Sequence, residues 1–448
     1  MRITVSAKLK LKHNAEQKSA LDRITFAYRD ALNFASKKAF ELDKTSSAPK
    51  LHKAVYDDLR AQFGLGAQLA CTVERQVAAT FKIQWTKLKQ NLKAREAGQT
   101  KRRYKGLDTA PKFVSRTLEY QYNRDYSWKK DGKVSIGTLK SRLVLGYEGY
   151  HKHLEYIQQG CETGSAKLYY QKSKKQYYLI VALNVELPDP HPTHHANVVG
   201  VDVGQRYHFV ATDKDGKSLF EKGKAVGQQK DHFARIKKAL QRKGTRSATR
   251  RLVALSGRER RFIADRNHTL AKKLLTRFPN AIFGLEDLTK IRERTERCSN
   301  PKASKKAKRV KRHQSQWSFA ELQAMLAYKA PLFGSLAVRV DANYTSQACY
   351  KCGHVSRGNR PKAGLEFVCE ACGHRGHADR VASVNIALRT LLVRQDWMST
   401  GALSMRPDVS DVEASRPHSG CRSAQEVKAA RLKRYTELRW NPDTSLRL

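Results

Sequence analysis

The chain has 448 residues, of which 87 are Lys or Arg and 41 are Asp or Glu, so its net charge at neutral pH is +46. With a 40% share of hydrophobic residues, this length predicts several globular domains rather than a disulfide-stapled miniprotein or a disordered chain. So large a positive charge indicates a polyanionic partner, and no apolar stretch is long enough to span a bilayer. We therefore expect a cytoplasmic protein that binds nucleic acid and not a membrane.

The N-terminal part begins with a strand and a helical region. Residues 2–12 alternate apolar and basic side chains, which is the period of a half-buried strand. Asn14 and Gln17 then form the pattern of a capping box at the start of a helix. A second helical pattern begins at residue 65. The sequence therefore predicts a strand followed by a helical region that covers residues 14–107.

Residues 108–190 are predicted to be rich in β-strands, because short alternating runs are separated by turns that contain Gly. Ten of the 18 tyrosines fall between residues 120 and 178 and are interleaved with Lys and Arg. Such rings either stack on the bases of a single-stranded nucleic acid or pack within the sheet, where Tyr is favoured in any case. The sequence leaves both uses of the tyrosines open.

The C-terminal half changes to alternating strands and helices. NVVGVDVG is typical of a buried strand, and two further strands form a hairpin around Gly216. The stretch 235–277, with 15 basic residues against two acids, predicts one long helix. A second buried strand, AIFGLEDL, precedes a basic segment at 302–312, a helix at 316–330 and a strand that ends at Asp341.

The basic excess of the stretches 235–277 and 302–312 indicates a surface for a phosphate backbone. A disordered loop is the alternative for the second stretch, because runs of like charge are often mobile. The residues that we expect to bind nucleic acid are Arg242, Lys243, Arg246, Arg250, Arg251, Lys305, Lys306, Lys308, Arg309, Lys311 and Arg312.

Four of the eight cysteines form two C-x-x-C pairs that are separated by sixteen residues. Each pair is followed by Gly, which permits the tight turn that brings two thiolates onto one ion. This spacing is typical of a structural zinc site rather than of disulfides. Two buried pairs without a metal are the alternative. The sequence therefore predicts one zinc ion bound by Cys349, Cys352, Cys369 and Cys372.

Three acids lie where buried elements begin or end. Asp202 ends the strand VVGVD, Glu286 ends AIFGLE, and Asp379 starts the last predicted helix. Carboxylates in apolar surroundings need a cation, and Mg²⁺ prefers their hard oxygen ligands. Two such ions can clamp the attacking and leaving oxygens of a phosphodiester. The order of three strands, helix, strand and helix is the ribonuclease H type of layout, which favours a phosphodiesterase centre at these acids.

The motifs GVDVG, GLEDL, YTSQACYKCG, FVCEACGHRGHAD and VNIA, in this order, resemble the RuvC-like nuclease region of the TnpB family. Members of this family are transposon-associated RNA-guided DNA endonucleases, related to compact type V CRISPR effectors. The resemblance covers residues 196–392. It implies that Asp202, Glu286 and Asp379 are catalytic acids that bind two Mg²⁺ ions, and that the four paired cysteines bind zinc beside them.

The resemblance also implies an α+β multidomain fold, with a ribonuclease H-like (RuvC) mixed α/β nuclease domain, a zinc-knuckle insert, a β-barrel wedge domain and a helical recognition lobe. The implied boundaries are 1–13 and 108–190 for the wedge domain, 14–107 for the recognition lobe, 195–345 and 376–396 for the nuclease domain, 346–375 for the zinc insert and 397–448 for a poorly ordered tail. The implied partners of this prokaryotic protein, expected to be a monomer, are a guide RNA and double-stranded target DNA.

One position departs from the family pattern. The family often has Asn two residues after the last catalytic Asp, where this chain has Val381, whereas Asn385 further on is present. The alternatives to a transposon-associated endonuclease are a nuclease-silent, RNA-guided repressor, a type V effector that uses a CRISPR RNA, and a zinc-knuckle RNA-binding protein without catalysis. The three placed acids argue against the last of these.

Overall fold

The computed structural model describes residues 1–289, 318–361 and 365–405, together with Ser304. The chain divides into two units, Met1–Pro188 and Asp189–Leu448, and each has an apolar core of its own. Within the described ranges, no helix is both long enough and apolar enough to cross a membrane.

The first unit is an antiparallel sheet with three helices inserted after its first strand. It contains β1 (Arg2–Lys12), α1 (Ala15–Glu41), α2 (Ala48–Phe63), α3 (Ala67–Glu96), β2 (Thr117–Tyr120), β3 (Tyr126–Lys129), β4 (Lys133–Gly137), β5 (Arg142–Glu148), α4 (His151–Gln158), β6 (Glu162–Gln171) and β7 (Gln176–Glu186). The strands lie in the order β2-β6-β7-β1-β5-β4-β3. The predicted first strand is therefore the central strand of this sheet, and its side chains alternate between a face that packs on the core and an exposed face.

This sheet curls so that its two ends approach one another. Trp128 on the edge strand β3 donates from Nε1 to Thr163 Oγ1 on β6 across 3.0 Å. Tyr120, Tyr126 and Tyr177 are fully buried in the core of this unit. These three rings pack within the protein, so they are not available to stack on bases.

The predicted capping box is confirmed. The Gln17 N–H donates to Asn14 Oδ1 across 2.8 Å, and the Asn14 N–H donates to Gln17 Oε1 across 3.0 Å. The sequence predicted the helical region 14–107 but no separate helix at α2, although its Ser47 cap and the left-handed Gly64 at its end are recognisable signals. It also did not predict α4, which interrupts the β-rich region. Helix α4 has only eight residues, which is too short for a helical period to stand out from the alternating runs around it.

The second unit contains a five-stranded mixed sheet between helices. Its elements are β8 (Asn197–Asp202), β9 (Tyr207–Asp213), β10 (Ser218–Lys222), α5 (Lys224–Lys243), α6 (Arg246–Arg277), β11 (Ala281–Glu286), α7 (Phe319–Leu332), β12 (Leu336–Val340), β13 (Glu366–Val368), β14 (Arg375–His377) and α8 (Ala378–Thr400). The order of the sheet is β10-β9-β8-β11-β12. Strands β10, β9 and β8 pair antiparallel, whereas β8, β11 and β12 pair parallel. The strands predicted for this region are all confirmed.

Side chains of this sheet alternate between two faces. Val199 and Val201 pack with α6 and α7 on one face. On the other face, Gly200 on β8 lies opposite Gly284 on β11. A methyl group added at Gly200 would overlap the backbone of α8, and one added at Gly284 would overlap a side chain of α8. The paired glycines therefore let α8 approach the sheet closely.

Gly200→Ala is expected to destabilise the fold by about 3 kcal/mol, because the α8 backbone at Ser383 and Ala387 cannot move aside for the new methyl group. Gly257→Ala on α6 is the matched control, since its nearest neighbour is the flexible end of Arg261 at 3.4 Å. The control is expected to be neutral or to stabilise by up to about 1 kcal/mol. Chemical denaturation measures both free energies of unfolding. Equal values for the two variants would contradict the close approach of α8 to β8.

The prediction of a single helix over 235–277 is wrong. Helix α5 ends at Gly244, which has a left-handed φ of 64°, and α6 begins at the Thr245 cap, whose side chain accepts a backbone N–H. Gly followed by Thr marks a helix end and a helix start, and this signal outweighs the nearly continuous apolar pattern. The two helices pack against each other, with the rings of Phe233 and Phe262 6.2 Å apart.

Helix α8 extends further than predicted. Trp397 is buried and packs with Ile282, Leu336 and Val338 of the sheet, and the helix ends at Gly401. The predicted start of a poorly ordered tail at residue 397 is therefore too early, because this tryptophan holds the last turns of α8 on the sheet. The residues after 405 lie outside the described part of the chain.

Candidate active site

The structure brings the three predicted acids together. Asp202 and Glu286 are the last residues of the adjacent parallel strands β8 and β11. Each lies two residues beyond one of the paired glycines, so both are on the face of the sheet that α8 crosses. Asp379 lies in the first turn of α8. The charges of Glu286 and Asp379 both act on Asp202, which places the three carboxylates in one electrostatic environment.

These carboxylates are little exposed to solvent, and Arg360 and Arg389 offset part of their negative charge. Burial raises the pKa of Asp202 well above its usual value, and the neighbouring carboxylates of Glu286 and Asp379 raise it further. Burial also raises the pKa of Glu286. A bound divalent cation would offset this charge. The oxygens of these three described acids do not all lie within 4.8 Å of one another. The acids therefore face a shared space from separate elements and do not form one compact ligand set.

Two residues that the sequence did not single out contact these acids. Arg360 donates from Nη2 to Asp379 Oδ1 across 3.2 Å, and the Thr345 hydroxyl donates to Glu286 Oε1 across 2.5 Å. Thr345 precedes the first cysteine pair, and Arg360 lies between the two pairs. Their approach to the acids depends on how that segment folds, so no local sequence pattern could have identified them.

The segment that carries Thr345 is held by Asn385 on α8. The buried Asn385 amide donates from Nδ2 to the carbonyls of Thr345 and Ala348, both across 2.8 Å. Asn385 is therefore a positioning residue for Thr345 and, through it, for the Glu286 carboxylate. Val381, the departure from the family pattern, lies in an apolar cluster with Cys349 and does not point a polar group at the acids.

The four paired cysteines converge on one point. Cys349 Sγ lies 3.7 Å from Cys372 Sγ, and Cys352 Sγ lies 3.5 Å from Cys369 Sγ. All four sulfurs lie within 4.8 Å of one another. A tetrahedron with zinc–sulfur distances of about 2.3 Å has edges of about 3.8 Å, so the spacing fits one zinc ion.

The turns after each cysteine pair have the predicted geometry. Gly353 and Gly373 have positive φ angles of 79° and 68°, which only Gly adopts readily. Burial raises the pKa of the Cys349 thiol to about 12, whereas a hydrogen bond from the His374 backbone N–H lowers the pKa of Cys372 to about 7. A bound cation would hold all four sulfurs as thiolates, including the buried one.

The cysteine knuckle, residues 345–377, also positions the start of α8. Its hairpin strand β14 leads directly into that helix, two residues before Asp379. Cys349 and Phe367 pack with Val384 of α8 in one apolar cluster. The knuckle therefore holds both Arg360 and the first turn of α8 beside the acids, which links the predicted zinc site to the predicted catalytic site.

Five of the predicted nucleic-acid residues lie where α5 meets α6. All five are exposed: Arg242 and Lys243 end α5, and Arg246, Arg250 and Arg251 lie in the first turns of α6. The other six lie outside the described residues: Lys305, Lys306, Lys308, Arg309, Lys311 and Arg312. The helix break therefore gathers five cations at the tip of a helical hairpin, and their contact with nucleic acid stays a prediction.

Comparison with known proteins supports the resemblance. Residues 319–386 match the family model described as Cas12f1-like, TNB domain, which spans α7, the cysteine knuckle and the start of α8. Over 72 residues, the chain is 40% identical to the CRISPR-associated endodeoxyribonuclease Cas12f1 of Sulfoacidibacillus thermotolerans, a match that covers 16% of this chain and 17% of that protein. Over 267 residues, it is 26% identical to the putative RNA-guided DNA endonuclease InsQ of Escherichia coli K12, which covers 56% of this chain and 63% of that protein.

These sequence matches confirm the resemblance: the chain is related to TnpB-like proteins and to compact type V effectors. The matches span less than two thirds of the length of either relative. A solved structure, the cryo-EM structure of the Cas12f1-sgRNA-target DNA complex, aligns with 86% of this chain and 99% of its own at 16% identity. The TM-score of this alignment is 0.34.

Proposed function

We propose that the protein is an RNA-guided DNA endonuclease with a ribonuclease H-like (RuvC-like) nuclease domain. The observation that carries this proposal is the position of Asp202, Glu286 and Asp379 on one face of a sheet ordered β10-β9-β8-β11-β12. Buried acids at the carboxyl ends of two central parallel strands suit metal-dependent phosphodiester hydrolysis. The related Cas12f1 and InsQ proteins carry the names of DNA endonucleases, which supports the same activity here.

Each residue of the site has a proposed part in hydrolysis. Asp202, Glu286 and Asp379 would bind Mg²⁺, which when bound activates water and neutralises the phosphate. Thr345 fixes the orientation of the Glu286 carboxylate through its hydrogen bond. Arg360, beside Asp379, places a fixed positive charge where a scissile phosphate would approach. The oxygens of the three acids do not all lie within 4.8 Å of one another, which favours two Mg²⁺ ions over one.

The remaining parts of the chain supply binding. The net charge of +46 is suited to a guide RNA and a DNA strand held together, with base pairing to the RNA reading the target. We assign the exposed cations at the α5–α6 turn to phosphate contacts, the curled sheet to the wedge domain, and helices α1 to α3 to the recognition lobe. The four-thiolate knuckle would be the zinc insert of the nuclease domain.

The nuclease-silent alternative rests on Val381, and no feature of the site favours it. The Val381 side chain packs with apolar residues of the knuckle. All three acids are retained, so replacing the family Asn by Val removes none of them.

The proposal is tested by purifying the full chain with the RNA that it binds, sequencing that RNA and adding DNA that matches its guide segment. We expect cleavage of the matching DNA in Mg²⁺ and none in EDTA, with unmatched DNA left intact in both. Binding of matched DNA without cleavage in either Mg²⁺ or Mn²⁺ would contradict the nuclease assignment and support the repressor.

A further inference from the structure

A second group of metal-ligating side chains lies in the helices of the first unit, away from the sequence motifs. Cys71 and Glu74 are three residues apart on α3, so they share one face of that helix. This face packs against α2, which carries His52. His52 Nδ1 lies 2.8 Å from Glu74 Oε2, and one ligand atom from each of the three residues lies within 4.8 Å of the other two.

The Glu74 carboxylate is the unusual member of this cluster. Its residue is only 3% exposed, and Oε1 is buried with no hydrogen-bond partner among the described residues. Burial raises the pKa of Glu74, although the hydrogen bond with His52 lowers it. A simple His–Glu hydrogen bond between packed helices accounts for one oxygen only. It leaves the second oxygen unsatisfied and does not explain why a thiol lies at the same point.

The cluster is accessible from one side. The His52 side chain is 45% exposed, and Cys71 is half-buried, so an ion can reach the three ligand atoms from solvent. The ring of Tyr56, one turn along α2, lies 4.6 Å from the His52 ring and limits its rotation. The ligands therefore come from two rigid helices, and the exposed side leaves a position for a water molecule.

We propose that His52, Cys71 and Glu74 bind a zinc ion that joins α2 to α3. Imidazole nitrogen, thiolate sulfur and carboxylate oxygen are all zinc ligands, and three protein ligands with one open position is a known zinc arrangement. The soft thiolate and the imidazole favour zinc over Mg²⁺. Zinc would satisfy the buried carboxylate and tie together two helices that are joined only by a short loop. This inference is independent of the proposed nuclease function.

The test is the zinc content of the full-length protein after dialysis against Zn²⁺ and then against metal-free buffer. Wild-type protein is expected to hold about two zinc ions per chain, one in the knuckle and one in this cluster. Cys71→Ser and Glu74→Gln, which keep the size of each side chain, are expected to hold about one. Cys161→Ser is the matched control, because Cys161 is also half-buried in the first unit and lies outside both clusters.

Thermal unfolding separates loss of the ion from loss of the fold. In EDTA, Cys71→Ser is expected to unfold at the wild-type temperature. Added Zn²⁺ is then expected to raise the unfolding temperature of the helical unit in wild type and in Cys161→Ser, but not in Cys71→Ser or Glu74→Gln. Equal zinc contents in wild type and Cys71→Ser would overturn the proposal. A complete loss of zinc on replacing the knuckle cysteines Cys349 and Cys352 by Ser would overturn it as well.

Discussion

Asp202→Ala is expected to lower the rate of DNA cleavage by about a thousandfold or more and to leave binding of guide RNA and matched DNA unchanged. The reason is its position. Asp202 ends the central strand β8, the charges of Glu286 and Asp379 raise its pKa, and its side chain is not part of an apolar core. Single-turnover cleavage rates and binding isotherms, measured on the same RNA-loaded preparation, check the two halves of this prediction.

Asp215→Ala is the matched control, because Asp215 is an exposed acid in the β9–β10 turn of the same unit. It is expected to cleave at the wild-type rate. If Asp202→Ala lost DNA binding by the same factor as cleavage, the residue would have a structural role and not a catalytic one. Cleavage by Asp202→Ala at the wild-type rate would remove Asp202 from the site altogether.

Metal binding at this site is expected to be linked to pH. Because burial and the neighbouring acids raise the pKa of Asp202, the metal-free folded protein keeps a proton on this group to a higher pH than the unfolded chain does. Mg²⁺ must displace that proton, so its apparent affinity is expected to increase as pH rises toward the raised pKa. Mg²⁺ titrations followed by the unfolding temperature measure this, and Asp202→Asn should weaken the pH dependence to the part that Glu286 supplies.

The second large effect is expected from Cys349→Ser combined with Cys352→Ser. This double variant should release about one zinc ion per chain and lower the cleavage rate by about a hundredfold or more, since the knuckle holds Arg360 at Asp379 and packs on α8. Zinc content and cleavage rate are measured on the same preparations. Cys161→Ser serves again as the control and should change neither quantity.

An unchanged zinc content in the double variant would refute the four-thiolate site. If the double variant lost zinc but cleaved DNA at the wild-type rate, the four cysteines would still be the zinc ligands. Their role in positioning Asp379 would then be contradicted. Guide RNA binding provides a further comparison. The first unit has its own core, so the part of the RNA affinity that it supplies should survive in this variant.

The sequence identified those features that depend on local pattern. The period-two alternation found β1, the buried runs found β8 and β11, and the spacing of the cysteine pairs found the knuckle. The acids were predicted because Asp202 and Glu286 end buried strands and Asp379 starts the last helix. The spacing of residues along the chain was enough to predict the position of a functional side chain wherever one strand or one tight turn sets that position.

Features that depend on packing between distant segments were not predicted. Arg360 reaches Asp379 only because the knuckle folds back on α8, and Asn385 holds Thr345 across 40 residues of chain. His52 and Glu74 meet only because α2 and α3 pack side by side. The break between α5 and α6 is different, because the Gly244–Thr245 signal was present in the sequence and the apolar pattern concealed it.

The central claim is that this chain cuts DNA at a site chosen by the RNA that it carries. It is tested most directly by loading the full-length protein, in separate preparations, with two RNAs that differ only in the guide segment. Each complex is then incubated in Mg²⁺ with one DNA that contains both matching sites. The account predicts that each complex cuts only its own site and that Asp202→Ala cuts neither. Cleavage at the same positions with both RNAs, or no cleavage with either, would contradict it.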